Sequence, residues 1–547
     1  MKANLLFFLF LFNLEIRHVF TDFYSSIATL TQLSQNELKL VSALRRFIVA
    51  QEKQEEDVDK FLKQFLKTTE DTVSEKVIDN PIDAFHLLRR WVEDWQKCFD
   101  IVICPDCDMN GPHIDFNLTR SIVEKRIGGW PQKTDLDAAV SAIFRLWNFY
   151  QFDLHEFLHG KIFKFETAPF TPADVIYIAN KAEESNDMYN SIQFLETLLD
   201  ELKKGKFPKS HVTPTTLSRI IAAAYNRYDM PGKSVEILKE CTKAEPGNKR
   251  LHNDFDYFKT RAASISKLEN VTAFDKVDAE DNMTKDYENL CRGSLKSPKE
   301  LSRLFCYYKA TDDPFYFVKT ELANLQPRIF LFHDIISDDE IGFFRNISEK
   351  KLARSTTTTK QGMIGSEDRI SHTAWLSDLD FLELKKLTLR IKLITGLETE
   401  FRTRYSNTEQ YQILNYGVGG MYKPHVDPLS EDRSMFPGEC RGSGDRIATI
   451  MFYYICIVYF CIQQLSHVMH GGATVFPNIK TRIPVQKGSA AFWYNLELNG
   501  EIDQRMLHAG CPVLVGSKWV CNKWIRERGQ IFKRPCGLKK KSKERRL

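Results

Sequence analysis

The chain changes its residue periodicity near Pro327, and this change limits the folds that it can adopt. Before it, apolar residues recur at every third or fourth position, which is typical of amphipathic helices. After it, from Arg328 and again from Gln410, short apolar segments alternate with glycine turns, which is typical of strands. With 547 residues the chain is also too long for one hydrophobic core. The sequence therefore predicts a multidomain α+β protein with its helices first and a β core near its C-terminal end.

The N-terminus has the pattern of a secretory signal. Lys2 precedes an apolar run at residues 5–14, which is too short to cross a bilayer. We therefore interpret residues 1–20 as a signal peptide and predict no membrane span. Glycosylation sequons that fit a secreted chain begin at Asn117, Asn270, Asn282 and Asn346. Lysine and arginine number 76 against 72 aspartates and glutamates, so the overall charge does not indicate a nucleic-acid partner.

Two helical regions are predicted next. In residues 21–145, residues 24–66 form an amphipathic pattern that contains the charged stretch 51–57, and such a helix needs a partner surface. This region is therefore predicted to be a coiled, dimerising domain. Residues 146–262 show paired helices that repeat after about 44 residues, which is consistent with tetratricopeptide-like units.

Four tyrosines lie on the paired helices, and two interpretations of them stay open. Their rings could stack on the pyrrolidine faces of a polyproline II peptide, or they could fill gaps between the helices. These residues are Tyr177, Tyr189, Tyr225 and Tyr228. The polar residues 263–326 are predicted to be a linker, residues 327–536 the catalytic domain and residues 537–547 a basic tail.

The densest chemical signal is Tyr416-Gly-Val-Gly-Gly-Met-Tyr-Lys-Pro-His425-Val-Asp427. A histidine and an aspartate two apart on a strand point to the same face and can converge on one metal ion. The distant His508 would complete a set of two histidines and one carboxylate, which leaves coordination positions open on iron(II). His467 and His470 compete with His508 for this role, but they flank a glycine pair and are placed in a loop.

Lys518 follows His508 by ten residues, an even spacing that would return its ammonium group to the metal face of a regular strand. A buried lysine needs an anion, and the distal carboxylate of 2-oxoglutarate would supply one. Cys104-Pro-Asp-Cys107 has no second Cys-x-x-Cys pair beside it. It is interpreted as a loop disulfide or free thiols rather than a redox site.

Several motifs in the same order resemble the alpha subunits of collagen prolyl 4-hydroxylases, which belong to the iron(II)/2-oxoglutarate dioxygenases. The segments that carry the resemblance are Tyr416-Gly-Val-Gly-Gly, Pro424-His-Val-Asp, Gly472-Ala-Thr-Val-Phe-Pro, Ala491-Phe-Trp-Tyr-Asn-Leu and Cys511-Pro-Val-Leu-Val-Gly. The resemblance implies a double-stranded β-helix (jelly-roll) catalytic domain and a tyrosine-rich peptide-binding domain. It covers residues 23–536, with the N-terminal part matching by layout more than by identity.

The resemblance also assigns residues. It implies His425, Asp427 and His508 as catalytic iron ligands, and Lys518 and Tyr416 as the groups that bind 2-oxoglutarate. It implies two disulfides, Cys291 to Cys306 and Cys511 to Cys536. Finally, it implies iron(II), 2-oxoglutarate and L-ascorbate as cofactors and a hetero-tetramer with protein disulfide isomerase as beta subunit in the endoplasmic reticulum lumen.

The sequence departs from the family pattern at two places. Arg526 occupies a position where the family has a histidine near the co-substrate, so Arg526 is assigned to co-substrate binding with an altered affinity. Residues 454–464 have no counterpart in the family pattern. They are either a real insertion or a gene-model artefact such as a retained intron.

The expected activity is hydroxylation of proline to 4-hydroxyproline in procollagen-like X-Pro-Gly sequences, with release of succinate and carbon dioxide. One alternative is hydroxylation of a different proline-rich secreted protein. A second alternative is a catalytically silent subunit that only binds proline-rich peptides. The presence of all four of His425, Asp427, His508 and Lys518 argues against the silent subunit.

Overall fold

The computed structural model describes residues 26–50, 56–72, 78–102, 112–127, 129–207, 211–265, 282–359, 362–365, 368–429, 442–455 and 470–537. The chain divides into two compact units, one formed by residues 1–150 with 281–547 and the other by residues 151–280. The predicted signal peptide, the Cys104 to Cys107 pair, His467 and the tail beyond residue 537 lie outside the described residues. Over the described ranges, every helix is too short or too polar to cross a membrane.

The first unit begins with helices, and the expected single long helix is two helices. The apolar face of the first helix is covered by the fifth helix of the same chain, and Leu33, Leu40 and Leu44 on the first helix are fully buried. Dimerisation of this region stays a prediction. The helices are α1 (Ile27–Ala50), α2 (Glu56–Thr72), α3 (Pro81–Arg89), α4 (Trp95–Val102), α5 (Pro112–Ile127) and α6 (Lys133–Tyr150), with a π-helical turn at Arg90–Asp94.

Over its described residues, the second unit is helical apart from one small hairpin. Thr171 caps the helix that begins at Pro172, because its hydroxyl accepts a hydrogen bond from the Asp174 amide and forms a capping box. Each later helix packs against the next one along the chain. The elements are α7 (Leu154–Leu158), β1 (Lys161–Ile162), β2 (Phe165–Glu166), α8 (Pro172–Glu184), α9 (Met188–Lys203), α10 (Pro214–Arg227), α11 (Pro231–Ala244) and α12 (Lys249–Ile265).

The rest of the first unit is built on a nine-stranded sheet with the order β3-β4-β5-β16-β12-β19-β10-β9-β6, and a four-stranded sheet with the order β11-β17-β14-β15. Two further pairs are β7 with β8 and β13 with β18. The strands are β3 (Cys306–Ala310), β4 (Phe317–Leu325), β5 (Arg328–Phe332), β6 (Ala353–Arg354), β7 (Thr356–Thr359), β8 (Gly362–Gly365), β9 (His372–Leu376), β10 (Tyr411–Tyr416), β11 (Tyr422–His425), β12 (Arg446–Ile455), β13 (His470–Gly471), β14 (Thr474–Phe476), β15 (Thr481–Ile483), β16 (Ala490–Tyr494), β17 (His508–Gly510), β18 (Val513–Val515) and β19 (Lys518–Arg526).

Side chains of the two sheets meet in one core. Leu331, Met451 and Trp493 of the nine-stranded sheet pack with Phe476 and Ile483 of the smaller sheet. The other face of the nine-stranded sheet is covered by helices. The helices of this part are α13 (Asn282–Arg292), α14 (Pro298–Leu301), α15 (Asp338–Glu349) and α16 (Leu382–Thr395). The C-terminal part is therefore a layered, sheet-rich domain that places two sheets around a common interior.

The interpretation of residues 263–326 as a linker is wrong for their described part. Residues 282–292 form helix α13, and β3 and β4 extend the nine-stranded sheet beyond β5. Residues Phe317–Leu325 alternate between exposed and buried side chains, which is the period of a strand with one covered face. The β domain therefore begins before Pro327.

Both predicted disulfides are wrong. Cys291 is bonded to Cys511, and the two Cα atoms lie 5.6 Å apart inside a buried cluster. Cys306 and Cys536 are exposed free thiols. The packing of distant segments explains the observed bond. Helix α13 packs against β14, which pairs with β17, and this brings Cys291 to Cys511 rather than to Cys306, which is nearer in sequence.

Candidate metal and co-substrate site

The structure brings His425, Asp427 and His508 together. His425 ends β11, and its Cα pairs with that of His508 at the start of β17, while Asp427 follows two residues after the end of β11. One ligand atom from each residue lies within 4.8 Å of the others. The Nε2 atoms of His425 and His508 are 4.0 Å and 3.8 Å from Asp427 Oδ1.

Both imidazoles are oriented by the backbone. His425 Nδ1 is 2.8 Å from the Lys423 carbonyl oxygen, and His508 Nδ1 is 2.9 Å from that of Met506. Because a carbonyl only accepts, each Nδ1 carries the proton and each Nε2 presents a lone pair toward Asp427. Burial, followed by the nearby His508, lowers the pKa of His425 to about 3, so His425 is neutral and able to act as a ligand.

Asp427 is fixed by two neighbouring strands. Its Oδ2 accepts a hydrogen bond from the Thr449 hydroxyl, which itself accepts from Asn495 Nδ2 at 2.9 Å. Burial raises the pKa of Asp427, but His508, His425 and Arg446 outweigh burial and hold this pKa below its ordinary value. Asp427 is therefore an anion that faces the Nε2 atoms of both histidines.

This donor set fits iron(II). Two imidazole nitrogens and one carboxylate oxygen converge at distances too long for hydrogen bonds to each other, so a positive ion between them would satisfy all three. Rings of Tyr422, Phe476 and Trp493 pack around the histidines, with the Tyr422 centroid 3.6 Å from that of His425. They restrict the ligand orientations and exclude water from one side.

The triad opens into a cavity of about 680 Å³ that is also lined by Tyr416 and Lys518. Lys518 reaches it from β19 of the nine-stranded sheet and not along the strand that carries His508, because β18 and a turn intervene. The expected position is therefore correct, but the regular strand that motivated it does not exist. Lys518 pairs with Tyr416 across the strands, and its Nζ lies 5.4 Å from the Tyr416 ring centroid.

The Lys518 ammonium group is buried in a polar part of the cavity. Its Nζ lies 3.5 Å from the Thr474 hydroxyl, which also accepts a hydrogen bond from the Tyr453 hydroxyl at 3.0 Å. Burial lowers the pKa of Lys518 to about 7. A carboxylate bound here would restore the charged form of the lysine.

Arg526 is not among the residues that line this cavity, so its assignment to co-substrate binding is not supported. It lies eight residues beyond Lys518 on the same strand, or about 26 Å at the rise of a β-strand. Its Nη1 donates to Glu409 Oε1 at 2.8 Å, and its Nη2 donates to the Gly444 carbonyl oxygen.

The same Glu409 carboxylate holds Arg446, which sequence reasoning missed. Arg446 donates to Glu409 through Nε at 2.6 Å and Nη2 at 2.8 Å, and through Nη1 to the Asp427 carbonyl oxygen at 3.1 Å. Its guanidinium also lies 3.6 Å from the Trp524 ring centroid. The signal for Arg446 and Thr449 was their polarity within the otherwise apolar run Arg446-Ile-Ala-Thr449-Ile-Met.

The other candidates lie elsewhere. His470 begins β13 and pairs with Val515, and His333 contacts Glu321 Oε2 at 2.9 Å. Tyr225 is buried, with its hydroxyl donating to Glu196 Oε1 at 2.8 Å, whereas Tyr177, Tyr189 and Tyr228 are half-buried. Of residues 454–464, the described Tyr454 is a buried part of β12, and residues 456–464 lie outside the described residues.

Comparisons with known proteins cover nearly the whole chain. The prolyl 4-hydroxylase alpha-subunit N-terminal region matches residues 26–164, and the 2OG-Fe(II) oxygenase superfamily matches residues 411–526. Prolyl 4-hydroxylase subunit alpha-1 of Rattus norvegicus is 32% identical over 541 residues, which are 94% of this chain and 96% of the relative. The subunit alpha-1 of Caenorhabditis elegans is 32% identical over 97% of this chain and 93% of its own length.

The viral collagen prolyl hydroxylase of Paramecium bursaria Chlorella virus-1 is 22% identical and covers 36% of this chain and 95% of its own chain, with a TM-score of 0.27.

Proposed function

This chain belongs to the prolyl 4-hydroxylase alpha-subunit family, and from this premise we propose that it acts on procollagen-like polypeptides at X-Pro-Gly sequences. It is a proline-hydroxylating dioxygenase that uses iron(II) and 2-oxoglutarate. The single observation that carries the proposed site is the convergence of His425, Asp427 and His508 beside the buried ammonium group of Lys518.

We assign roles by the direction in which each group points. His425, Asp427 and His508 would hold the metal ion, with Thr449 and Arg446 restricting the movement of Asp427. Lys518 would bind the distal carboxylate of 2-oxoglutarate, and Tyr416 would border the same carboxylate. Iron(II) bound here, with dioxygen and 2-oxoglutarate, supplies the oxidant that hydroxylates carbon 4 of proline while succinate and carbon dioxide are released.

The second unit is the proposed peptide-binding domain, with a tetratricopeptide-like arrangement of helices. Tyr177, Tyr189 and Tyr228 are half-buried, so part of each side chain faces solvent, where a neutral polyproline II ligand would contact it. Tyr225 would contribute mainly by packing, since its ring is buried and its hydroxyl is bound to Glu196.

Further proposals concern the assembly and the compartment. We propose that the chain is secreted into the endoplasmic reticulum lumen, is glycosylated, and associates with protein disulfide isomerase as beta subunit in a hetero-tetramer. The N-terminal helices would contribute to dimerisation, and L-ascorbate would act as cofactor. The apolar run at residues 5–14 and the family membership support these proposals.

The test is succinate release from 2-oxoglutarate by the full chain co-expressed with a disulfide isomerase. We expect release only when iron(II) and a Pro-Pro-Gly peptide are both present, together with 4-hydroxyproline in the peptide. Succinate release at the same rate with and without the Pro-Pro-Gly peptide would contradict the proposed substrate. Hydroxylation of a different proline-rich polypeptide but not of the Pro-Pro-Gly peptide would also contradict it.

A matched pair of variants connects the activity to the site. Asp427→Ala is expected to abolish both products, whereas Asp339→Ala, which removes an exposed carboxylate on α15 of the same unit, should leave them unchanged. Equal activity of the two variants would show that the triad is not the reaction centre.

A further inference from the structure

A second cluster of histidines and carboxylates lies in the other unit, around helix α7. His155 is on α7 and His159 follows its last residue, so the two rings are four residues apart and lie on the same side of the helix. Both face Glu201 of α9: His155 Nδ1 is 2.9 Å from Glu201 Oε1, and His159 Nε2 is 2.5 Å from Glu201 Oε2. His155 Nδ1 also lies 3.8 Å from Asp200 Oδ2.

The Glu201 side chain is only 1% exposed, although it carries a charge. Burying a carboxylate is unfavourable unless positive or hydrogen-bonding groups surround it. Here it is surrounded by two imidazoles and by the ammonium groups of Lys204 and Lys206, each 3.2 Å from one of its oxygens. Since both lysine side chains are about half exposed, they can turn into water with little loss of packing.

The arrangement has the donor chemistry of a transition-metal site. Imidazole nitrogens and carboxylate oxygens are ligands that Zn²⁺ accepts, with bonds of about 2.0–2.2 Å and therefore ligand atoms about 3.3 Å apart in a tetrahedron. The ligand atoms of His155, Asp200 and Glu201 already lie within 4.8 Å of one another. The Phe207 ring stacks on His159 with its centroid 5.3 Å away and restricts that imidazole.

We propose that His155, Asp200 and Glu201, with His159 as the fourth group, form a binding site for a zinc-like divalent cation, separate from the catalytic triad. Binding replaces the two N–H···O hydrogen bonds by metal–nitrogen bonds. Each imidazole binds the ion through the nitrogen that now faces Glu201 and carries its proton on the other nitrogen, while Lys204 and Lys206 leave the carboxylate. The ion would then connect α7 to α9 within the second unit.

The test counts zinc ions bound to the full chain after dialysis against micromolar Zn²⁺, measured by plasma mass spectrometry. Zinc also suits the catalytic triad, so we expect about two ions per chain for the wild type and about one for Asp427→Ala. The double variant His155→Gln/His159→Gln should also bind about one, and the combination of all three substitutions should bind none. Asp427→Ala protein without zinc would overturn the proposal.

A second variant distinguishes a zinc site from a loss of zinc binding that is caused by misfolding. Lys204→Gln/Lys206→Gln removes the competing ammonium groups, so it should bind Zn²⁺ several-fold more tightly in the Asp427→Ala background. If Glu201 is only an ion-paired residue, the same substitutions should destabilise the chain and leave zinc affinity unchanged. Cobalt(II) substitution gives an independent readout. The Asp427→Ala protein should show the visible absorption of a four-coordinate ion, and adding His155→Gln/His159→Gln should remove this absorption.

Discussion

In the His425–Asp427–His508 triad the imidazoles are held by backbone carbonyls, whereas in the His155–His159–Glu201 cluster they are held by the carboxylate itself. The Nε2 atoms of the triad stay 3.8 and 4.0 Å from Asp427 Oδ1, which leaves space between the donors. In the second cluster the corresponding distances are 2.9 and 2.5 Å. The triad is therefore prepared for an ion before it binds, while the second cluster must first give up hydrogen bonds.

The difference comes from the surroundings of each carboxylate. Asp427 has Thr449 and Arg446 to fix its position, so the histidines are not needed for that purpose. Glu201 is buried on a helix, accepts hydrogen bonds from the two histidines and depends on Lys204 and Lys206 for its counter-charge. We therefore expect the triad to bind metal more tightly and to be the only one of the two that governs catalysis.

The largest expected effect separates the two clusters by activity. His508→Ala removes one of three ligands, so hydroxylation should fall by more than the ~100-fold that loss of a supporting partner outside the ligand set causes. His155→Gln/His159→Gln should leave kcat within about twofold, since it lies in the other unit. Both are measured as 4-hydroxyproline formed in a Pro-Pro-Gly peptide. A comparable loss in the double variant would contradict the separation of roles.

The next effect concerns Lys518, the buried lysine beside the triad that would bind the anionic co-substrate. Lys518→Ala should raise the KM for 2-oxoglutarate by about 10- to 100-fold, the equivalent of one charge-assisted hydrogen bond in a buried site. Lys518→Arg should recover part of the loss. Lys319→Ala, an exposed lysine paired with Asp334, is the matched control and should leave KM unchanged. An unchanged KM in Lys518→Ala would remove Lys518 from co-substrate binding.

A smaller effect is the pH dependence of co-substrate binding. Burial lowers the pKa of Lys518 to about 7, so below that pH the free enzyme already holds the ammonium group and the affinity is constant. Above it, the lysine must take up a proton when the carboxylate binds, and the Kd should rise by up to about tenfold per pH unit. Calorimetry at pH 6 to 8.5 in two buffers of different ionisation enthalpy measures this uptake. The Lys518→Arg variant should show no such proton uptake, because arginine stays protonated over this pH range.

Local signals in the sequence were sufficient for part of this fold. The strand predicted from Arg328 depends on neighbours within a few residues, and the structure has it at Arg328–Phe332. The Thr171 and Ser337 capping boxes are equally local features. The histidine and aspartate of the triad were visible because a short motif places them on one strand end. His508 was preferred over His467 and His470 because those two lie beside a glycine pair, and the family resemblance implied the same residue.

The features that sequence reasoning missed depend on contacts between distant segments. The bond between Cys291 and Cys511 joins residues 220 apart, and Glu201 lies 46 residues from His155. Lys518 was expected on the strand of His508 because the two residues are ten apart, but a turn and strand β18 lie between them. Such pairings are fixed by how helices and sheets pack, and the residue spacing contains no record of that packing.

The smallest expected effect belongs to the outermost support of the triad, for which the second cluster has no equivalent. Arg526 binds Glu409, which binds Arg446, which in turn donates to the Asp427 carbonyl oxygen. Arg526→His should therefore lower the free energy of unfolding by about 1 to 3 kcal/mol through the loss of a buried charged hydrogen bond. The KM for 2-oxoglutarate should change by less than about twofold, because Arg526 is remote from Lys518.

Denaturant unfolding followed by tryptophan fluorescence measures the first quantity, and succinate release at varied 2-oxoglutarate measures the second. Arg528→His is the matched control, since Arg528 is exposed and donates to the Gly442 carbonyl oxygen without contact to Glu409. A changed KM with unaltered stability in Arg526→His would restore a direct role in co-substrate binding. It would also show that support of Asp427 extends no further than Arg446.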